Sequence, residues 1–181
     1  MMIEVHSQKK VYEVSMEVRL RKMNVKEFKS YCEYSVNDYA KDLMKSSDIT
    51  LEEAREQARK EFKGMLPQGT DTKDNYVMII EDVRDRKAVG IIWYLYEEFQ
   101  GAKQVFLSDF IVYEEERRKG YATVALAEME RNAMRDGCKQ SIIYVWKHNP
   151  PGINLYTKCG YITFKELNDG MYMKKSLGAG N

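Results

Sequence analysis

The chain has 181 residues, enough for one well-buried domain and few for two. Its 29 basic and 28 acidic residues nearly cancel, which excludes a global electrostatic pull toward nucleic acid or an anionic membrane. With 44% apolar and 31% charged residues it has the balance of a folded chain, and no run approaches the ~18 apolar residues of a bilayer-spanning helix.

The start, MMIEVHSQKK, has neither an apolar signal core nor a small-residue cleavage site. Cys32, Cys138 and Cys159 form no CxxC or zinc pattern, so free thiols in a reduced cytoplasm are expected. Within residues 12–23 the alternation Ser-Met-Glu-Val-Arg-Leu-Arg predicts a half-exposed first strand. Asn24 with Glu27 reads as a capping box ahead of Val25, Phe28, Cys32, Val36, Tyr39, Ala40 and Leu43 at helical spacing. Thr50 with Glu53 repeats the signal before Leu51, Ala54, Ala58 and Phe62, with Gly64 as the expected stop. Residues 67–75 predict a loop. Strand-like runs follow at 76–80, 89–99 and 104–113, joined at Asp85-Arg86-Lys87 and Gln100-Gly101-Ala102 as an antiparallel meander. A helix over 120–135 ends at Gly137, a strand covers 141–146, and a brief helix follows Gly152. Residues 161–165 and 170–174 close as a strand pair, and 176–181 read as a flexible tail. The order β-α-α-β-β-β-α-β-α-β-β, without repeat or boundary, predicts a single α/β (α+β) domain over 1–181 with a central mixed sheet.

Two segments carry chemistry. In DFIVYEEERRKGYA, from Asp109 to Ala122, an apolar strand and an acidic turn lead into Arg117-Arg118-Lys119-Gly120-Tyr121-Ala122 at the opening of a helix. Free N–H groups at that helix start, the positive end of its dipole and three adjacent cations make a seat for a pyrophosphate. Gly120, lacking a Cβ, lets a phosphate oxygen approach the backbone. The pattern is short, and a solvated helix start reads equally well from it alone. It is neither a P-loop nor a G-x-G-x-x-G fingerprint, so ATP- and NAD-type chemistry recede. In the second segment, His148 to Tyr161, a turn at Asn149 leads into a short helix carrying Leu155 and Tyr156 and closed by Gly160. Asn149 can both donate to and accept from an amide, as a pantetheine arm requires, and Tyr156 can point back into the same crevice. The plainer reading makes Asn149 a turn residue and packs Tyr156 into the core.

Taken together over residues 105–161, these segments resemble motifs A and B of the GNAT superfamily of acetyl-CoA-dependent N-acetyltransferases. The family's [Q/R]-x-x-G-x-[G/A] is matched, after a strand ending in Val112, by Arg117, Gly120 and Ala122. Its N-x-x-A-x-x-L-Y-x-K-x-G-[F/Y] is matched by Asn149, Leu155, Tyr156, Lys158, Gly160 and Tyr161, departing at Gly152 (usually Ala) and at Pro150-Pro151. The resemblance implies a mostly antiparallel sheet splayed between strands four and five, flanked by helices. Backbone groups of Phe110, Ile111 and Val112 would then pair with the pantetheine arm of acetyl-CoA. Amides of Arg118, Lys119, Gly120, Tyr121, Ala122 and Thr123 would hold its pyrophosphate, and Arg117, Arg118 or Lys119 would reach outer phosphates. Asn149 would bind the pantetheine or orient the reacting centre, and Tyr156 would protonate the departing thiolate, with no metal involved.

An alkylammonium acceptor must lose a proton before attack, so a general base is expected, directly or through water. The developing oxyanion needs a donor, expected at a backbone N–H near Val112. The base stays open among Asp109, Glu81, Asp82, Glu97, Glu98, His148 and water; many relatives carry Glu where this chain has Tyr144. The run Ile91 to Glu98 reads as a buried strand, or as an acceptor wall of Trp93, Tyr94 or Tyr96 cradling a cation. Cys159 reads as inert. The expected activity is direct acetyl transfer, in a ternary complex, to a primary amine on a small molecule or a protein. No nucleic-acid or membrane partner is expected, and pairing of final strands in a homodimer stays open. The N-terminal helices and the 67–75 loop are expected to shape the acceptor pocket. The rival is a non-catalytic acyl-CoA-binding sensor, favoured by Tyr144 and opposed by Tyr156.

Overall fold

Both capping boxes form in the computed structural model, which describes residues 16–178. Asn24 Oδ1 accepts from the Glu27 amide at 2.9 Å and starts α1 (Val25–Ser46); Thr50 does the same for α2 (Leu51–Met65). A first strand, β1 (Val18–Lys22), precedes them, and β2 (Asn75–Asp82), β3 (Ala88–Phe99) and β4 (Ala102–Val112) form the antiparallel meander. Gln100 and Gly101 both take positive φ, 52° and 77°, as a two-residue hairpin turn requires. Then come α3 (Tyr121–Arg135), β5 (Gln140–Trp146), α4 (Pro150–Lys158), β6 (Ile162–Glu166) and β7 (Gly170–Ser176).

The seven strands lie in the order β1-β2-β3-β4-β5-β7-β6, antiparallel except for the parallel pair β4–β5. The fold is therefore the mixed, mostly antiparallel α/β layer expected. Period-two alternation sends Val77, Ile79, Ile91 and Trp93 to one face, where they pack with Tyr31 and Val36 of α1 and Ala58 and Phe62 of α2. Ile80, Ile92, Tyr94, Val105, Leu107 and Ile143 point the other way, onto Ala125, Leu126 and Met129 of α3. Among the described residues no helix is long and apolar enough to cross a membrane.

Several local expectations are corrected. Gly64 lies inside α2, which is capped at Leu66. Helix α4 starts at Pro150 rather than after Gly152, because a first helical position tolerates proline. Val25 and Leu51, read as part of the apolar stripes of their helices, are exposed first-turn residues. Ser176 ends β7, and Leu177 is buried with its amide bonded to Lys139 O, so this part of the expected tail is packed. Residues 179–181, like residues 12–15 of the first predicted strand, lie outside the described residues. Trp93, Tyr94 and Tyr96 are buried, which removes them as an acceptor wall. The Trp93 indole donates to Asn75 and the Tyr96 hydroxyl to Asp136.

Candidate active site

Strands β4 and β5 pair from Gln104 with Gln140 to Leu107 with Ile143, and no further. Both continue, to Val112 and Trp146, but they part. At the parting the β3–β4 register slips between Trp93 and Tyr94, and Ser108 is the extra residue of a bulge. That one residue re-aims the strand. Val105 and Leu107 face α3, whereas Ile111 packs toward α1 and Asp109 accepts a hydrogen bond from Tyr31 of α1 at 2.9 Å. The Tyr113 amide donates to Val89 O, so by alternation Asp109 and Ile111 also turn their peptide groups to β3. Phe110 and Val112 turn theirs into the gap. Of the three residues assigned to the pantetheine arm, Ile111 therefore presents its main chain elsewhere. Arg117 Nε already donates to Val112 O at 3.0 Å. Gly90 stands opposite Val112, and a Cβ there would meet Ile111 O at 2.3 Å; only glycine lets β3 press this close.

Beyond β4 the chain makes a short turn at Glu114–Glu116 and reaches Gly120 at φ 96°, the cap of α3. A Cβ on Gly120 would meet only Met16, at 3.7 Å, so glycine is required here for its left-handed backbone before any need for space. Arg118 also has positive φ, 65°. From Arg118 to Thr123 no backbone N–H has an acceptor among the described residues; the first helical bond is from Val124 to Gly120 O. Alternating φ signs and a free helix start make an anion-binding concavity. The cations beside it differ. Lys119 Nζ is held by buried Glu116 at 2.9 Å, and Glu116 is also paired with Lys87. Arg118 has no side-chain hydrogen bond or ion pair among the described residues, which leaves it free to reach a phosphate. The Tyr121 hydroxyl donates to Asp82 at 2.7 Å and ties the helix start to β2; that bond, with burial, pushes its pKa up to about 12.

Asn149 caps α4, its Oδ1 accepting from the Gly152 amide at 3.0 Å. A Cβ on Gly152 would sit 2.7 Å from Asn149 Nδ2, so the departure from alanine makes room for this carboxamide. One turn on, Tyr156 is buried from the α3 side, 6.0 Å from the Tyr161 ring between centroids. Its hydroxyl has no hydrogen-bond partner among the described residues. Burial, then the nearby charge of Asp109, raises its pKa, so the phenol keeps its proton at neutral pH. Behind it, Tyr161 donates to Glu130 at 2.9 Å and lies 2.7 Å from Ser141 Oγ, while Lys175 pairs with Glu130.

Among the candidate bases, Glu81 is held by Arg19 and Arg21, and Asp82 by Tyr121 and two backbone amides. Glu97 accepts from Gln104, Glu98 is exposed on the β3–β4 hairpin, and exposed His148 stacks on Trp146. Tyr144 lies over Gly170 and donates to Asp169. Only Asp109 reaches the parting of the strands. Burial raises its pKa above the ordinary carboxylate value, against the lowering pull of the Tyr31 hydroxyl. Ser35, one turn beyond Tyr31 on the same helix face, lies near both groups, yet its buried Oγ has no partner at hydrogen-bond geometry. The sequence reading names neither Tyr31 nor Ser35; the i, i+4 spacing of two hydroxyl-bearing residues on an otherwise apolar helix face is the signal that could have found them. Among the described residues no group of three or more His, Cys, Asp or Glu side chains is placed to hold a metal.

Comparison with known proteins identifies the family. Residues 31–161 match the model of the acetyltransferase (GNAT) family. The chain is 30% identical over 146 residues to YycN, an uncharacterized N-acetyltransferase of Bacillus subtilis (strain 168), covering 81% of this chain and 93% of that protein. The crystal structure of YycN superposes with a TM-score of 0.75 at 28% identity, covering 83% and 95% of the two chains. At the level of fold alone, the PaiA N-acetyltransferase of Thermoplasma acidophilum in complex with coenzyme A matches with a TM-score of 0.65 at 17% identity, over 89% of this chain and 99% of that one. The spermidine N-acetyltransferase of Vibrio cholerae, in complex with CoA and spermine, matches at 0.64 and 13% identity, over 88% and 95%. The chain is an acetyl-CoA-dependent N-acetyltransferase and belongs to the GNAT family.

Proposed function

We propose that this enzyme moves acetyl from acetyl-CoA to a primary amine by direct attack, with Asp109 as general base and Tyr156 as general acid. The observation that carries the reading is the parting of β4 from β5 after Leu107, where Asp109 enters from the α1 face and Tyr156 from the α3–α4 face. The free amides from Arg118 to Thr123, with Arg118, take the pyrophosphate. The gap-facing groups of Phe110 pair with the pantetheine arm, the Val112 N–H meets its thioester oxygen, and the Asn149 amide nitrogen is left to donate to the arm.

Asp109 accepts a proton from the acceptor's ammonium and frees its lone pair. The amine attacks the thioester carbonyl, and the Val112 N–H stabilises the oxyanion. As the C–N bond is completed the C–S bond breaks. Tyr156 gives its proton to sulfur, and the nitrogen loses its second proton. Amide, free CoA thiol and one proton to solvent are the balance, and Asp109 and Tyr156 are reset by exchange with water.

Labelled acetyl-CoA with a panel of amines tests the activity. For Tyr156→Phe we expect kcat to fall about 10²-fold, in the range of general acid–base catalysis, with acetyl-CoA binding by calorimetry intact. Unchanged turnover in that variant overturns the acid assignment.

A further inference from the structure

A cleft of about 810 Å³ opens between α1 and strands β2–β4, on the face where Asp109 lies. Its volume suits a small molecule rather than a folded partner. Ile79, Ile91 and Ile111, from three adjacent strands, make its floor, and the rings of Tyr34 and Tyr113 make its sides. Tyr31 joins this cleft to the reacting centre: its ring lines the cleft and its hydroxyl bonds Asp109.

Asp109 apart, the charges that line the cleft, with Arg21 behind Glu27, cancel. Both carboxylate oxygens of Glu27 are engaged by Arg21. Glu114 and Glu115 stand at the exposed rim, matched there by Lys26 and Arg117. Asp109 is then the one carboxylate in surplus, enough for one ammonium; a chain carrying several would leave the others without a partner for their lost hydration, whereas an apolar body gains by leaving water. We infer that the acceptor is a primary monoamine on an aromatic or aliphatic body, seated on the isoleucine floor between Tyr34 and Tyr113 with its nitrogen toward Asp109. This inference rests on the acetyl transfer proposed above and names its substrate class.

Initial rates with labelled acetyl-CoA and phenethylamine, hexylamine, spermidine and a lysine-containing peptide provide the test. Expected is a kcat/KM for phenethylamine or hexylamine at least about ten-fold above that for spermidine or the peptide, as burial of several methylenes or a ring confers. Tyr34 is 53% exposed, so Tyr34→Ala should fold normally. In that variant KM for phenethylamine should rise about ten-fold while kcat and the KM for acetyl-CoA stay near wild type. Preference for spermidine or the peptide, or an unchanged amine KM in Tyr34→Ala, overturns this inference and leaves acetyl transfer standing. Heat on mixing with acetyl-CoA but no product with any of the four amines overturns the transfer reading itself.

Discussion

On the α3 and α4 side of the sheet, the proposed cofactor seat is main chain: the unpaired edge of β4, the bare amides from Arg118 to Thr123, and Gly120 at positive φ. On the α1 and α2 side, the proposed acceptor seat is side chains: Tyr31 and Ser35 from α1, Ile79 and Ile91 from β2 and β3, Asp109 and Ile111 from β4. A backbone site needs its special residues next to one another, so it leaves a compact signature in sequence. A side-chain site can draw on distant positions; Tyr31 and Asp109 are 78 residues apart. The first half constrains the cofactor, and the second is free to vary with the acceptor.

The two halves should separate in kinetics, and Asp109→Asn breaks the comparison hardest. If Asp109 is the base, its loss should lower kcat about 10²- to 10⁴-fold without changing the KM for acetyl-CoA. Because burial raises the Asp109 pKa, kcat/KM of the wild type should rise with pH through a value above the ordinary carboxylate range. Stability has the opposite sign. A carboxyl whose folded pKa exceeds its unfolded one contributes most below the unfolded pKa and loses that contribution as pH rises through the folded pKa. Asparagine does not titrate, so the Tm of Asp109→Asn minus that of wild type should grow more positive between about pH 4 and 7. A difference that shrinks over this range would place the folded pKa of Asp109 below its unfolded one.

Gly120→Ala makes the complementary cut. Its Cβ has room, so the penalty is the left-handed backbone, about 1–2 kcal/mol. Relief of that strain would shift the amides from Arg118 to Thr123. The KM for acetyl-CoA should rise about ten-fold while the amine KM stays near wild type. An equal rise in both would mean that the halves are not independent.

This contrast also sets what the sequence could disclose. Capping boxes, hairpin turns and the helix start at Gly120 are local, and they were read at the right places because the residues that create them are neighbours. The parting after Leu107 was expected only through family resemblance. The bulge at Ser108 leaves no local signature, since it exists as a mismatch between two strands' registers, yet it alone turns Asp109 toward α1. In sequence the base therefore stays open among Asp109, Glu81, Asp82, Glu97, Glu98, His148 and water; in the structure Glu81, Asp82 and Glu97 are engaged elsewhere, which leaves Asp109 as the proposed base. Gly90 and Gly152 passed unexplained for the same reason: what each makes room for, Ile111 O and the Asn149 side chain, appears only in three dimensions.

The smallest expected effects compare one buried hydroxyl from each half. Tyr161 Oη is satisfied on the cofactor side by Glu130 and Ser141, so Tyr161→Phe deprives two buried groups and should cost about 1–3 kcal/mol. Ser35 Oγ lies beside Tyr31 and Asp109 but off hydrogen-bond geometry, so it is less well satisfied than Tyr161 Oη. Ser35→Ala should therefore leave stability unchanged or raise it by up to about 1 kcal/mol. At this chain length each kcal/mol moves Tm by about 2–4 °C, so thermal melts of the two variants should shift in opposite directions. Lying next to the proposed base, the Ser35 hydroxyl could instead serve the acceptor amine. If that is so, the stabilised Ser35→Ala enzyme should show a raised amine KM with its acetyl-CoA KM unmoved; a melt that falls with Ser35→Ala would mean that the hydroxyl works for the fold and not for the substrate.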